Sequence, residues 1–212
     1  MELTNAEKFE KERFVAVKGL IEPYLLTFLG SYYRQILKGR QSQFNRDGTS
    51  LNASGEACAD TVMYTLRSRI EAETGLDLYP TFSFVRLYKK GDVLRKHIDQ
   101  AASEVNVSIT ILASDPWPLA MHRGDEVINL ELDPGDGVIF HGMELVHERE
   151  KFAGREHLQL IVAYVEKGGA NQEMAFYRMG EPTYAPTSNK WGPGKKFMRY
   201  VADVREKRDA SN

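Results

Sequence analysis

The sequence predicts an α+β fold that is mainly β, in which N-terminal helices pack against a sandwich or barrel of short strands. Two patterns support this class. Apolar residues recur at helical spacing up to about Thr74, whereas beyond Pro80 they alternate with polar residues in short runs. The hydrophobic fraction of 42% in 212 residues is enough for one sizeable core, and no internal repeat divides the chain. A single domain is therefore expected.

Residues 1–79 are expected to form a helical support region. Thr4 lies three residues before Glu7, which is the spacing of a capping box at a helix start. Pro23 suits the first turn of a helix, and Gly75 is a typical helix stop. The elements predicted here are, in chain order, a helix that begins at Thr4, a strand over 13–17, a helix over 22–37, an exposed polar loop over 41–56 and a helix over 57–74.

Residues 80–167 are expected to form the β core, and residues 168–212 a C-terminal arm of the same domain. Turns rich in Gly and Asp, such as the one over 133–136, separate the β-type runs. The predicted strands cover 81–88, 105–112, 127–132, 137–141 and 158–165. After Lys167 the periodicity fades, and a last short helix is predicted over 197–204.

The composition excludes several classes of protein and of site. With 28 Lys+Arg against 30 Asp+Glu the formal net charge is -2, so no nucleic-acid partner is expected. Residues 1–13 lack the apolar segment of a signal peptide, and no apolar run is long enough to cross a membrane. We therefore expect no membrane partner and a cytoplasmic location. Cys58 is the single cysteine, so a metal site must be built from carboxylates and the five histidines.

The residues that point to chemistry are His97-Ile98-Asp99. Side chains two positions apart on a strand share a face, so this imidazole and this carboxylate are placed to bind one ion. A later strand should supply a third ligand, and His147 is available. Two histidines and one carboxylate form the facial triad typical of non-haem Fe(II), with three positions open. Zinc hydrolysis uses similar ligands, and a hydrogen-bonded His and Asp at a strand end are the structural alternative.

A series of short motifs surrounds this pair in a defined order. Tyr, Gly and Leu precede the His-x-Asp pair, at Tyr88, Gly91, Leu94, His97 and Asp99. Further blocks follow over 103–108, 124–126, 134–136 and 147–154. In this combination the chain resembles the Fe(II)/2-oxoglutarate-dependent dioxygenases, in their prolyl 4-hydroxylase-like branch. The resemblance covers residues 56–167, and the ordered combination is more specific than any single motif.

The resemblance implies a fold, a metal site and a reaction. The fold would be a double-stranded β-helix, or jelly roll, flanked by the N-terminal helices. His97, Asp99 and His147 would be the iron ligands. His141 competes for the distal role, but the family's ligand precedes a charged turn with a glycine, as His147 precedes Gly154. With Fe(II), 2-oxoglutarate and O2, such an enzyme hydroxylates an unactivated C–H bond and releases succinate and CO2.

The resemblance also calls for a cation that binds the distal carboxylate of 2-oxoglutarate. The family usually places Arg or Lys about ten residues after the distal histidine, where this chain has His157. A protonated imidazole donates to a carboxylate, so His157 is favoured by position. Arg155, expected on the same strand face, and Arg149, expected on the face of His147, are alternatives because a guanidinium fork matches a carboxylate. Tyr88 is a further candidate to hydrogen-bond this group.

The substrate follows only weakly from the resemblance, because pocket loops rather than the fold choose a substrate. A prolyl residue in a peptide or protein is the first hypothesis. A free amino acid or another small metabolite is the alternative within the same chemistry. A non-catalytic jelly-roll module that binds a ligand or partner is the alternative outside it, because His157 departs from the usual residue type of the carboxylate anchor. The oligomeric state stays open.

Overall fold

The computed structural model describes residues 3–39, 45–46 and 51–177. Within these ranges the helices are α1 (Asn5–Glu12), α2 (Pro23–Gly39) and α3 (Ala57–Thr74). The strands are β1 (Phe14–Val17), β2 (Asn45–Arg46), β3 (Leu51–Ser54), β4 (Leu78–Lys89), β5 (Leu94–His97), β6 (Val105–Ala113), β7 (Leu119–Arg123), β8 (Glu126–Leu130), β9 (Gly137–His141), β10 (Val146–Arg149) and β11 (Glu156–Glu166).

The predicted helix boundaries are confirmed where local sequence signals define them. The Thr4 hydroxyl accepts from the Glu7 backbone N–H while the Glu7 carboxylate accepts from the Thr4 N–H, which completes the capping box. Helix α3 covers the predicted residues and ends at Gly75, whose φ of +75° lies in the left-handed region that favours glycine. The support region therefore begins with the short helix α1 and contains two longer helices, α2 and α3, beside the β core.

The β core consists of two antiparallel sheets. The larger sheet has the strand order β1-β9-β6-β11-β4-β3-β2, and the smaller one β5-β10-β7-β8. Between β4 and β11 the chain passes repeatedly from one sheet to the other, with β4, β6, β9 and β11 in the larger and β5, β7, β8 and β10 in the smaller. This is the arrangement of a jelly roll, so the predicted double-stranded β-helix is confirmed.

The main hydrophobic core joins the larger sheet to the helices. Val107 of β6 and Leu160 of β11 belong to the same buried cluster as Met63 and Ile70 of α3. The Tyr164 hydroxyl donates to the Met63 carbonyl at 2.6 Å and ties β11 to this helix. A smaller apolar cluster lies between the two sheets. The helices thus cover one face of the larger sheet and leave the other to face the smaller sheet.

Parts of the polar stretch 41–56 correct the expectation of an exposed loop. Strand β3 pairs with β4, with Ala53 opposite Val85, and Ala53 is buried. The hydrogen bonds of the sheet are made by the backbone, so a strand that extends an existing sheet needs few apolar side chains. Residues 41–44 and 47–50 lie outside the described residues.

The two ends of the chain add to the β core in different ways. Strand β1, in the predicted helical region, pairs with β9, with Val15 opposite Ile139. The predicted C-terminal arm is described only as far as residue 177, and the Phe176 N–H donates to the Pro80 carbonyl at 2.7 Å. The helix predicted over 197–204 lies outside the described residues. In the part of the chain that the structure covers, no helix has both the length and the apolar character needed to cross a bilayer.

Candidate metal centre and cavity

Three potential metal ligands converge between the strands of the smaller sheet. His97 ends β5, Asp99 follows two residues later, and His147 on β10 is the direct cross-strand partner of His97. Asp99 Oδ1 lies 3.6 Å from His97 Nε2 and 3.9 Å from His147 Nε2. One ligand atom from each of the three residues lies within 4.8 Å of the others. Antiparallel pairing therefore brings together two histidines that are 50 positions apart in sequence.

Both imidazoles are oriented by their own backbone. His97 Nδ1 lies 2.7 Å from the Arg95 carbonyl, and His147 Nδ1 lies 3.0 Å from the Leu145 carbonyl. A carbonyl oxygen only accepts, so each Nδ1 carries the proton and each Nε2 presents a lone pair. Metal-ligating histidines commonly donate their other ring N–H to such a group, which fixes the tautomer and the ring orientation.

The Asp99 carboxylate is held by its second oxygen. Asn106 Nδ2 donates to Asp99 Oδ2 at 2.6 Å, so Oδ1 is the oxygen that faces the histidines. The backbone is also fixed, because the Asp99 N–H donates to the Gly142 carbonyl and the Gly142 N–H to the Glu104 carbonyl. Asn106 is therefore a positioning residue for the carboxylate, of the kind that supports metal ligands in proteins.

Gly142 gives a direct test of this arrangement. A Cβ at this position would overlap the Ser103 carbonyl oxygen and lie 2.6 Å from Asp99 Oδ2, closer than nonbonded atoms approach, so Gly142→Ala must shift the backbone here and the carboxylate with it. We expect this variant to bind Mn(II) or Fe(II) at least about tenfold more weakly in a calorimetric titration. The control is Gly30→Ala, because its Cβ would make an ordinary 3.4 Å contact with Leu112. A folded Gly142→Ala protein with unchanged metal affinity would contradict the assignment.

Burial favours the neutral form of His147. His147 is buried, with its ring 4.9 Å from the Phe140 ring and 4.3 Å from the His97 ring. Burial lowers the pKa of His147 below its ordinary value, against the opposing effect of the Asp99 charge. The imidazole is therefore neutral at pH 7, as metal binding requires. Two imidazole nitrogens and one carboxylate oxygen fit the facial triad of a non-haem Fe(II) site.

His141 and His122 lie outside the candidate ligand group. His141, the competing distal ligand, stacks on the Phe9 ring with centroids 4.4 Å apart, and burial lowers its pKa to about 4. His122 lies on β7, and its Nε2 is 2.8 Å from a Glu148 carboxylate oxygen. Among the described residues, the ligand group therefore contains His147 and neither of these two.

A cavity of about 330 Å³ lies between the sheets, and the three candidate ligands form part of its wall. The rest of the wall is largely apolar, with several neutral polar groups and a single arginine. Its other lining residues are Ser54, Phe82, Phe84, Arg86, Tyr88, Leu94, Ile98, Gln100, Ser103, Asn106, Ser108, Leu119, Phe140, Gln159 and Ile161. The metal group thus has room beside it for a small organic molecule or one side chain of a larger one.

The residues predicted to bind the distal carboxylate of 2-oxoglutarate do not all lie where the sequence led us to expect them. Tyr88 lines the cavity, and its hydroxyl accepts from Arg86 Nη1 at 3.1 Å. Arg155 has a side chain that is 81% exposed, near Glu156, and does not line the cavity. Because β11 begins at Glu156, Arg155 does not share a strand face with His157 as expected.

His157 is buried among aromatic rings and is not a cation. Its ring centroid lies 5.2 Å from Trp117, 6.0 Å from Phe152 and 6.4 Å from Tyr88. Burial, helped by the positive charge of Arg149, lowers the pKa of His157 to about 3. The expectation of a protonated imidazole at this position is therefore corrected, because an apolar site with a nearby cation disfavours a second positive charge.

Arg149 is a buried cation on the strand of His147. Its Nη1 donates to the Trp117 carbonyl, and the guanidinium carbon lies 5.0 Å from the Trp117 ring centroid. Neither Nε nor Nη2 has a hydrogen-bond partner among the described residues. Burial lowers the pKa of Arg149 to about 10, so it remains charged at neutral pH. It does not line the cavity.

Three polar residues of the cavity wall were not predicted as site residues. Asn106 holds Asp99, and Gln159 Nε2 donates to Ser108 Oγ across β11 and β6. Arg86 contacts Tyr88. A signal for Arg86 was available, because it lies two residues before Tyr88 and therefore on the same face of the predicted strand. Asn106 lies inside the block 103–108, where nothing in the sequence distinguishes its role.

The fold is similar to those of several solved structures, one of which is described as a 2OG-Fe(II) oxygenase. A prolyl-4-hydroxylase from Pseudomonas putida has a TM-score of 0.62 and 20% identity, over 77% of this chain and 97% of that chain. An oxidoreductase of the 2OG-Fe(II) oxygenase family from Burkholderia pseudomallei has a TM-score of 0.63 and 14% identity, over 79% and 91%.

A third similar structure was solved with ligands. The epimerase SnoN, in complex with Fe3+, alpha ketoglutarate and nogalamycin RO, has a TM-score of 0.62 and 15% identity, over 76% of this chain and 82% of that chain. No protein-family model matches this chain, and no curated protein matches it in sequence. At these identities the similarity is one of fold.

Proposed function

We propose that the chain is an Fe(II)- and 2-oxoglutarate-dependent dioxygenase that hydroxylates an unactivated C–H bond. The observation that carries the proposal is the group of His97, Asp99 and His147 in the wall of a cavity, with both Nε2 atoms and one carboxylate oxygen turned toward one another. The similar structures support it, since they share the fold and are described as a prolyl-4-hydroxylase and as an oxidoreductase of the 2OG-Fe(II) oxygenase family. Fold alone does not choose a reaction, so the donor set is the stronger support.

In this proposal the residues of the chain bind and orient. His97 Nε2, His147 Nε2 and Asp99 Oδ1 would hold Fe(II). When bound, the iron supplies the site at which 2-oxoglutarate and O2 react, with the balance R–H + 2-oxoglutarate + O2 → R–OH + succinate + CO2. Arg95 and Leu145 carbonyls keep the imidazoles in the ligating tautomer, and Asn106 keeps the carboxylate aimed.

The cavity walls position the substrate carbon and exclude water. Phe82, Phe84 and Ile161 from the larger sheet, with Leu94 and Leu119 from the smaller one, give the cavity an apolar lining. An aliphatic group that enters it would lose little polar hydration, and the low-dielectric surroundings would strengthen the electrostatic interactions of the charged ligands. The site is thus suited to oxidation of an aliphatic C–H bond.

Formation of the complex is testable without a substrate. Anaerobic addition of Fe(II) and 2-oxoglutarate to the wild-type protein is expected to produce a weak visible charge-transfer band that neither addition produces alone. The Asp99→Ala variant is expected to show no band, because it removes the ligating carboxylate. A wild-type protein that binds Fe(II) but shows no band with 2-oxoglutarate would count against the dioxygenase and favour a binding module.

The first substrate hypothesis is a prolyl residue in a peptide or protein. The similar fold of the Pseudomonas putida prolyl-4-hydroxylase supports it, and an apolar cavity of about 330 Å³ has room for a pyrrolidine ring. Incubation with proline-containing peptides, Fe(II), 2-oxoglutarate and O2 should add 16 Da to the peptide, as measured by mass spectrometry. The matched control replaces the proline with alanine. Hydroxylation of free amino acids with no modification of peptides would overturn the prolyl hypothesis and leave the reaction class intact.

A further inference from the structure

Arg86 is the cationic side chain of the cavity. Among the described residues that line it, no other lysine or arginine is present. Arg86 lies on β4, between β11 and β3, where its cross-strand partners are Gln159 and Asn52. Its backbone is therefore held by hydrogen-bonded strands on both sides, which makes it a rigid point in the wall.

The Arg86 side chain is oriented by two aromatic neighbours. Its Nη1 donates to the Tyr88 hydroxyl at 3.1 Å, and its guanidinium carbon lies 4.9 Å from the centroid of the Phe84 ring. Tyr88 and Phe84 are the residues two positions away on the same strand face, and both line the cavity. A guanidinium held against two rings loses little entropy when it binds a planar anion.

The strand register places Arg86 on the same side of the sheet as the metal group and some distance along it. Asn106, which holds Asp99, lies opposite Ala163 on β11, and Ala163 lies opposite Phe82 on β4. Phe82 and Arg86 are four residues apart, which is about 13 Å along a strand. The guanidinium carbon lies 4.9 Å from the centroid of the Phe84 ring and 6.0 Å from that of the Tyr88 ring, so the side chain lies between these two neighbours.

The other candidates to bind the distal carboxylate of 2-oxoglutarate, His157 and Arg149, are less well placed. His157 is neutral and, like Arg149, is buried outside the cavity wall. Arg149 contacts the carbonyl and ring of Trp117, which belongs with Tyr88 and Phe152 to one aromatic cluster. Of this cluster, only Tyr88 reaches the described cavity wall. Among the described residues, Arg86 is therefore the arginine that lines the cavity together with the candidate ligands.

We propose that Arg86 binds the distal carboxylate of 2-oxoglutarate, with Tyr88 as the residue that positions its guanidinium. The inference rests on the proposed function. It assigns the carboxylate-binding cation to β4 rather than to β11, where His157 occupies the position at which the resembling family usually has Arg or Lys. A guanidinium fork makes two parallel N–H···O bonds to a carboxylate, and the low dielectric of the cavity strengthens them. The anchor is thus a cation on a different strand rather than a protonated histidine.

The test compares two 2-oxoacids that differ only in the distal carboxylate. 2-Oxoglutarate and 2-oxopentanoate are titrated anaerobically into the Fe(II)-loaded protein, and binding is followed by the visible band and by calorimetry. We expect Arg86→Gln to weaken 2-oxoglutarate binding at least about 30-fold and to leave 2-oxopentanoate binding within about twofold of wild type. Arg86→Lys should recover part of the loss, because it restores the charge but not the fork.

Two further variants make the result decisive. Arg155→Gln is the matched control, because Arg155 is exposed and outside the cavity, and it should bind both 2-oxoacids as the wild type does. Arg149→Lys tests the rival anchor. The inference is overturned if Arg86→Gln binds 2-oxoglutarate normally, if it loses both 2-oxoacids equally, or if the selective loss occurs in Arg149→Lys instead. A wild-type protein that binds neither 2-oxoacid would overturn the proposed function together with it.

Discussion

Replacement of His147 by alanine is expected to abolish high-affinity metal binding and to reduce succinate formation at least about a thousandfold. The variant removes one of three candidate ligands, the buried histidine whose Nε2 lies 3.9 Å from Asp99 Oδ1. Metal binding is measured by titration of Fe(II) or Mn(II), and succinate by chromatography. Circular dichroism shows whether the variant keeps the fold.

The matched control for this prediction is His141→Ala. His141 is the other histidine considered as the distal ligand, and it stacks on Phe9 away from the ligand group. The control should retain the metal affinity of the wild-type protein. Loss of metal binding in His141→Ala together with normal binding in His147→Ala would reverse the assignment.

The second large effect is a loss of stability in mild acid that depends on His157. Burial lowers the pKa of this residue to about 3 in the folded protein, whereas an unfolded histidine has its ordinary pKa of about 6.5. Below pH 6.5 the unfolded state therefore binds a proton that the folded state does not. The contribution of His157 to stability is complete above pH 6.5 and is lost as the pH falls toward 3, at about 1.4 kcal/mol per pH unit.

Urea unfolding of the metal-free protein at pH 7 and pH 5 measures this effect. In the wild-type protein His157 should contribute about 2 kcal/mol to the decrease in the free energy of unfolding between these values. His157→Gln replaces the imidazole with an amide that does not titrate, so its decrease should be smaller by about that amount. An identical pH dependence in both proteins would show that the imidazole is not buried in its neutral form.

The helices and the longest strands were predictable because their side chains face a single core. Helix α3 shows apolar spacing, and Gly75 ends it at a residue with positive φ. Strands β9 and β11 read as apolar runs because both of their faces are covered, one by helices and one by the smaller sheet. In these segments the local pattern and the tertiary contacts favour the same structure.

The strands that build the site were not predictable in the same way. Strand β5 reads Leu-Arg-Lys-His and β10 reads Val-His-Glu-Arg, so neither shows an apolar alternation. Their side chains face the candidate metal group or the surface. These segments are strands because their backbones pair with each other, not because they carry an apolar pattern. Strand β3 is polar for a related reason, because it extends the edge of a sheet that already exists.

The candidate ligands were predictable from sequence, whereas the charge state of the surrounding residues was not. The His-x-Asp spacing and a later histidine indicate the metal group because few residue types bind a metal in this geometry. The charge of His157 depends on burial among Trp117, Phe152 and Tyr88, which come from three separate segments. The importance of Arg86 depends on which side chains line a cavity between two sheets, which the sequence of β4 alone does not specify.

The most direct test of the central claim is the oxygen-dependent conversion of 2-oxoglutarate by the wild-type protein. With Fe(II), 2-oxoglutarate and O2 present, succinate and CO2 should form in equal amounts, and faster when a substrate is added. The Asp99→Ala protein, with the same metal and co-substrate, should form neither above background. If the wild-type protein binds Fe(II) and still produces no more succinate than Asp99→Ala, the chain is not a 2-oxoglutarate-dependent dioxygenase.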